Sequence, residues 1–398
     1  MRILYYSPHP NLNFGAPSGP GTHMREMVHA FRVLGHEVEL CILGGTEWQP
    51  GGSANSAVGG LKQRIKPLVP RILWHTMKDR NLQQFDARAG QELEAACERF
   101  APDLIYERGY YLMTSGVEVA GERGIRHVLE INAPYPEEKV SMEGKSFYHA
   151  RALRAERLQF ERTDKLVVVS TALQNYYLER TDCPDKILVT PNAVRDPQVT
   201  PDLEGAARVR GQWGIARDAL VFGFVGSIFP YHGVDRLIAA FVTPKLQEAH
   251  LLIVGGGAWL DQLKAQAASG PAAGRIHFTG NLPHAQVPAH IAAMDVTVMA
   301  KSNWYGSPVK IFEYGVLGKP IVAPDVAPVR DVMQHGHTGW LVPDEAPALQ
   351  TALETLAADA ELRNRLGEAF RTQIARNHTW KRMAEQVLDP NAFGLKFP

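Results

Sequence analysis

Lys310 and Glu313 stand three residues apart in YGSPVKIFEYGVLGKPIVAP, residues 305–324, where most other positions are apolar or turn-forming. Ser307 followed by Pro308 reads as a helix start: the serine as N-cap, the proline at the first helical position, where its missing N–H costs nothing. Gly318 closes the helix, and Lys319-Pro320 leads into an apolar run. A free helix N-terminus offers amides and the positive end of the helix dipole to an anion. Pyrophosphate on the amides of 307–309 would have Lys310 nearby as a point charge and Glu313 where a nucleotide ribose presents two hydroxyls. The alternative from this segment alone is a solvated charge on a helix surface.

Other turns could serve the same ligand. VFGFVGSIFPYHGVDRLIAAF puts Gly226, Ser227, His232 and Gly233 after an apolar run, LLIVGGGAWL carries three glycines, and HFTGNLP carries Gly280 and Asn281. Near the N-terminus, SPHPNLNFGAPSGPGTHMREM, with Gly19 and Gly21, runs into a helix at about Thr22. The dinucleotide fingerprint is not met there, because its third glycine position is Met24; Glu39 could imitate the ribose-binding acid, so a dehydrogenase is only weakly supported. His9 and His23, on or beside this loop, and Arg108 and Tyr110, after DLIYE, are candidates for an acceptor hydroxyl, with structural roles the alternative. Trp304 and Tyr305 could stack on a sugar or base, or pack between domains. No Ser-His-Asp set, paired carboxylates or D-x-D stands at persuasive spacing, and HEVEL lacks the second histidine of a zinc site.

These residues need scaffolds. Short apolar runs at 2–6, 37–43, 104–106, 127–131 and 165–169 alternate with helix-length segments, which predicts a doubly wound parallel sheet. A second series at 220–225, 250–254, 275–279, 295–299 and 320–323 predicts a second such domain, with the boundary in the proline-rich 192–205 stretch. Expected are a Rossmann-like domain over 1–195, another over 196–375, and a helix and tail over 376–398 that packs back on the first. Facing domains of this kind place their glycine-rich turns around one cleft. The 398 residues suffice for two cores, and 42 basic against 42 acidic side chains give no global field for a polyanion, so no nucleic-acid partner is expected. Cys41, Cys97 and Cys183 are too few and scattered for a disulfide frame or zinc site and fit a reducing compartment. MRILYYSPHP begins as a strand without the marks of a signal peptide, and no apolar run is long enough to span a bilayer, so a cytoplasmic protein is expected. Residues 62–80, basic with interleaved apolar side chains, allow peripheral contact with an anionic membrane face; a mobile loop and solvated helix face is the equal alternative.

The ordered set G-x-G-T-H, DLIYER, VLEINAP, STAL, TPNAV, FVGS…HGVDRLIAAF, FTGNLP and SPVKIFEYGVLGKPIVAPD resembles the family-4 (group 1) retaining glycosyltransferases of GT-B fold along almost the whole chain. The resemblance implies sugar transfer from a nucleotide diphosphate sugar, a UDP- or GDP-sugar, to a hydroxyl acceptor with anomeric configuration kept, without metal or other cofactor. It assigns Glu313 to the ribose, Gly306, Ser307, Pro308 and Val309 to the diphosphate, Gly280 and Asn281 to the neighbourhood of the base, and Gly19 and Gly21 to the side of the leaving phosphate. Glu130 and Asn132 match a strand end that supplies a polar residue to the transferred sugar. The family's first paired acid falls here on Tyr305, and its basic pair on Ser227 and His232. Lys310 and a protonatable His232 are therefore expected to neutralise the diphosphate. The alternatives are a GT-B-like nucleotide-sugar epimerase or hydrolase, and a non-catalytic scaffold subunit.

Overall fold

The structure, a computed structural model, describes residues 1–16, 18–47, 69–181 and 184–389. Two compact units divide the chain: Met1–Thr190 with the residues from Met383 on, and Pro191–Arg382. The division falls ahead of the expected residue 195, and the return at Met383 comes later than the expected 376.

In the first unit, β1 (Arg2–Ser7), β2 (Glu37–Ile42), β3 (Leu104–Arg108), β4 (Arg126–Ile131), β5 (Lys165–Val168) and β6 (Ile187–Val189) form a parallel sheet in the order β2-β1-β3-β4-β5-β6. β1 lies between β2 and β3, so the winding reverses there, and loops leaving the carboxyl ends of β1 and β3 diverge around a crevice. β6 was missed in the sequence: Ile-Leu-Val is too short to register as a periodic run. Helix Trp380–Leu388 ends on this unit, where the buried Lys165 ammonium donates to the carbonyls of Val387 (2.8 Å) and Gln386 (3.3 Å).

The second unit holds β7 (Val221–Val225), β8 (His250–Val254), β9 (Ile276–Gly280), β10 (Val296–Val298), β11 (Ile321–Pro324) and β12 (Trp340–Val342), also parallel, in the order β12-β11-β10-β7-β8-β9. Its reversal lies between β7 and β10. β12, another three-residue strand, was missed for the same reason. Helix Val309–Val316, between β10 and β11, buries Ile311, Phe312, Tyr314, Gly315 and Val316. Lys310 and Glu313, one helical turn apart, share its remaining face. Gly318, in the left-handed region at φ 67°, ends this helix as expected.

Helix Ala360–Asn377 braces the 309–316 helix from behind. A Cβ on Gly315 would stand 2.3 Å from Ile374 and 2.6 Å from Phe370, and one on Gly367 would stand 2.0 Å from the Gly318 carbonyl oxygen. The second obstacle is backbone and cannot rotate away. Gly367→Ala is therefore expected to destabilise the second unit by about 1–3 kcal/mol, read as a lower urea midpoint with unchanged slope.

Candidate functional site

Loops meet at the carboxyl ends of β7, β8 and β9 because glycine lets backbone touch backbone. Gly226 N–H donates to the Val254 carbonyl (2.9 Å), and Ile228 N–H to that of Gly256 (2.8 Å). A Cβ on Gly255 would lie 2.0 Å from the Gly226 oxygen, and one on Gly257 2.3 Å from the Ile228 oxygen. These two glycines thus serve loop-on-loop packing. Gly226 differs: a Cβ there would meet Lys310 Nζ at 3.1 Å.

Lys310 is the centre of this site. Its residue is partly exposed, but Nζ is buried, lies 4.4 Å from the Phe224 ring centre, and has no hydrogen-bond partner among the described residues. Burial pushes its pKa down to about 8, opposed by Glu313, which leaves it mostly protonated at neutral pH. Two other lysines with lowered pKa values show how this protein satisfies such a group. Lys165 donates to two carbonyls, and Lys319 donates to those of Ala292 (2.8 Å) and Met294 (2.6 Å). Among the described residues the Lys310 ammonium has a ring face and a glycine beside it and no hydrogen-bond acceptor.

Ser307 corrects the sequence reading. The helix begins at Val309 behind Pro308 with no side-chain cap. Ser307 Oγ instead accepts the backbone N–H of Asn192 (2.9 Å), and its carbonyl accepts from Asn192 Nδ2 (2.6 Å). Asn192, in the TPNAV segment, thus fixes the approach to the helix while the helix's own first amides stay clear of a serine cap. Asn303 Oδ1 accepts from Gly306 N–H (2.7 Å), closing the turn before it. Tyr314 anchors the helix to β7, its hydroxyl accepting from Val225 N–H (2.7 Å) and donating to the Val225 carbonyl (3.3 Å). None of these three was found from sequence; their local patterns are those of any turn asparagine or core tyrosine.

Glu313 keeps 34% of its side chain exposed and lies 3.9 Å from His284 Nε2. Burial raises its pKa, with His284 and Lys310 pulling the other way. The Gly280-Asn281 turn lies against the β8 loop, since a Cβ on Gly256 would meet Asn281 Oδ1 at 2.6 Å. His232 is the second correction. Its Nδ1 donates to the Ser227 carbonyl, while burial, with the Lys310 charge adding, pushes its pKa to about 4. It is neutral at pH 7 here, and Lys310 alone carries the positive charge expected of the pair.

The first unit gathers His9, His23, Arg108, Tyr110, Glu130 and Asn132 at its own sheet reversal. Glu130, 1% exposed, accepts from His23 Nε2 (2.9 Å), Tyr106 hydroxyl (2.6 Å), Arg108 Nη1 (2.5 Å) and Asn132 Nδ2 (2.5 Å). Burial would raise its pKa, but His23 and Arg108 outweigh that and hold the carboxyl well below the usual range. This carboxylate is saturated and enclosed, so the structure turns the expected catalytic Glu130 onto four groups of its own chain. His23 and Arg108 are likewise buried and turned onto Glu130. His9 and Tyr110 stay partly exposed with ring centres 3.8 Å apart. Burial pushes the His9 pKa to about 4, and its Nδ1 accepts from Asn11 N–H (3.0 Å), leaving Nε2–H as a donor. Gly19 and Gly21 are in the first turn of helix Gly19–Val33, three residues earlier than expected; a Cβ on Gly21 would meet the Ala16 oxygen at 2.5 Å. Glu39 pairs with Arg99 (2.5 Å) at the surface.

Of the basic segment, residues 62–68 lie outside the described residues. From Arg71 on it is the start of helix Arg71–Phe100, with Asp79 buried against Lys139 (3.1 Å) and Lys78 paired with Glu143 (2.6 Å). Cys41 and Cys97 are free thiols whose pKa values burial pushes up; Cys183 is outside the described residues. Among the described residues, no helix is long and apolar enough to cross a membrane.

A sequence model of "Glycosyl transferases group 1" matches residues 206–373, and one of "Glycosyltransferase Family 4" matches residues 17–196. The chain belongs to the group 1 glycosyltransferases. It is 33% identical over 228 residues to a D-inositol 3-phosphate glycosyltransferase of Stackebrandtia nassauensis, covering 53% of this chain and 49% of that one. Over 200 residues it is 29% identical to a GDP-mannose-dependent alpha-(1-6)-phosphatidylinositol monomannoside mannosyltransferase of Mycolicibacterium smegmatis, covering 48% and 52%. The chain thus spans about half the length of these curated relatives. Anabaena HepE, solved with UDP, superposes with TM-score 0.72 at 18% identity, covering 97% of this chain and 98% of that one. The shared architecture is the GT-B fold of two Rossmann-like domains.

Glu130→Gln tests how much this buried charge network stabilises the fold. It leaves Arg108 buried without its counter-charge and is expected to cost about 3–5 kcal/mol at pH 7. The native carboxyl is depressed on folding, so its stabilisation is present above the unfolded-state pKa and lost as pH falls through the folded one. Urea melts across pH 2–7 should therefore show a flatter acid limb in the variant.

Proposed function

We propose that this chain transfers a sugar from a nucleotide diphosphate sugar to a hydroxyl acceptor with retention, the second unit holding the donor and the first the acceptor. The observation that carries this is the Lys310 ammonium: buried, charged and without an acceptor among the described residues, it is a group that an incoming anion would satisfy. A scaffold would have no use for it. On this reading the diphosphate lies on the amides at 307–309 beside Lys310 and Gly226. Glu313, partly open at the next turn, accepts the ribose hydroxyls, and the Gly280-Asn281 turn flanks the base. HepE was solved with UDP and the mycobacterial relative is GDP-mannose-dependent, which supports a UDP- or GDP-sugar donor.

Chemically, the leaving diphosphate gains charge as the glycosidic bond breaks. Lys310 and the helix amides stabilise it without reorganising, and a diphosphate oxygen takes the proton of the acceptor hydroxyl arriving on the same face. The protein then needs neither nucleophile nor base, which agrees with an enclosed Glu130 and a neutral His232. In the first unit, His9 Nε2–H and Tyr110 are the groups open to an acceptor. Exposed Ile72, Leu73, Met77, Met142 and Phe147, near exposed Arg71 and Lys78, support acceptor capture at an anionic lipid surface. Phe147 N–H donates to Thr76 Oγ1 (3.1 Å), which joins the two parts of this patch.

Calorimetry with UDP, GDP, ADP, CMP and dTDP should find one strong ligand. Glu313→Ala is expected to weaken it about tenfold or more. Lys310→Ala should do the same at pH 7 and also remove a pH dependence: wild-type affinity is steady below about pH 8 and falls above it, as the free lysine loses its proton. Binding by no nucleotide, or Lys310→Ala within twofold of wild type, refutes the donor site. Sedimentation with phosphatidylglycerol against phosphatidylcholine vesicles checks the lipid surface; the protein should pellet only with the former, and Leu73→Glu with Met77→Glu should release it.

A further inference from the structure

Two exposed aromatic rings stand beside the start of the 309–316 helix and have no part in the chemistry above. Tyr231 is 54% exposed on the loop after β7, and Trp304 is 48% exposed on the loop after β10. The loops are neighbours, for a Cβ on Gly233 would stand 2.9 Å from Lys301 Cβ. Neither ring hangs loose. Tyr231 stacks on Phe229 (5.6 Å between centres, 10° between planes), and Trp304 stands edge-on to Tyr305 (5.3 Å, 83°). Asn303, closing the turn to Gly306, holds Trp304 in register with the helix start.

Along the helix the order of groups is fixed: His284 beside Glu313, then Lys310 beside Gly226, then Gly306, and then Trp304, with the Tyr231 loop alongside. A nucleotide diphosphate sugar has the matching order of base and ribose, diphosphate, sugar. The two loops, GSIFPYHG and AKSNWYGSP, contain no carboxylate with which to grip sugar hydroxyls. What they offer is ring faces, which pack against the apolar C–H face of a pyranose while its hydroxyls stay hydrated. Resting on the donor-site reading, we propose that Trp304 and Tyr231 form the platform for the donor's sugar ring and set which sugar is accepted.

The test is calorimetry with UDP, UDP-glucose, GDP and GDP-mannose on wild type, Trp304→Ala, Trp304→Phe and Tyr231→Ala. Wild type is expected to bind the nucleotide sugar more tightly than the bare nucleotide. Each alanine variant should weaken the nucleotide sugar about fivefold to tenfold and leave the bare nucleotide within twofold, with Trp304→Phe close to wild type. Bare-nucleotide affinity also verifies that each variant is folded. Equal losses for both ligands, no loss, or a wild type indifferent to the sugar overturns the platform and leaves the donor site standing. Failure of all four ligands to bind wild type overturns the UDP- or GDP-sugar donor reading and the platform that rests on it.

Discussion

A buried ammonium must find an acceptor, and Lys310 has none among the described residues. Much of the second unit can be understood as the means of holding it so. Apolar packing of Ile311, Phe312 and Val316 fixes the helix from one side, the Gly315 and Gly367 contacts allow the 360–377 helix to approach closely, and Tyr314 ties it to the end of β7. With so many contacts set by the core, the lysine cannot swing to solvent without leaving its place beside Phe224. A Cβ on Gly226 would stand 3.1 Å from its Nζ. The ring face of Phe224 and the nearby Glu313 offset part of the desolvation cost.

The first unit solves the opposite problem. Glu130 is also a buried charge at a sheet reversal, but four donors surround it, two of them from groups that can carry positive charge. Such a network is rigid and gives up nothing to a ligand. Beside it the backbone is tied as well, Gly109 N–H donating to the Glu130 carbonyl at 2.9 Å, and Tyr110, next in the chain, packs on His9. The saturated charge builds a frame; the unsaturated one awaits a partner.

Most of this architecture was legible in the sequence. Ten of the strands stood out as apolar runs because a parallel strand is buried on both faces, while β6 and β12 are too short to carry that signal. Lys310, Glu313 and the glycine turns were legible because they interrupt apolar or regular patterns. What the sequence concealed is how charges are spent. Glu130 looks like any acid at a strand end until its four donors, from positions 23, 106, 108 and 132, are brought together. Ser307 looks like an N-cap because the local pattern is right, and only Asn192, distant in the chain, competes for its hydroxyl. His232 reads as a switchable cation because its pKa depends on burial and on a lysine that is its neighbour only in space.

That neighbour also explains why one cation can replace two. With Lys310 protonated nearby, a charged His232 would suffer both desolvation and like-charge repulsion, so the imidazole stays neutral and bonds to Ser227. On the donor-site reading, a diphosphate would offset only the repulsion, by adding negative charge beside the lysine; the histidine stays desolvated. Nδ1 is already committed as a donor to the Ser227 carbonyl, so a new proton would enter at Nε2 and create a second donor only when there is an anion to receive it. At rest the geometry therefore holds one uncompensated cation, Lys310, beside an imidazole that its charge helps to keep neutral.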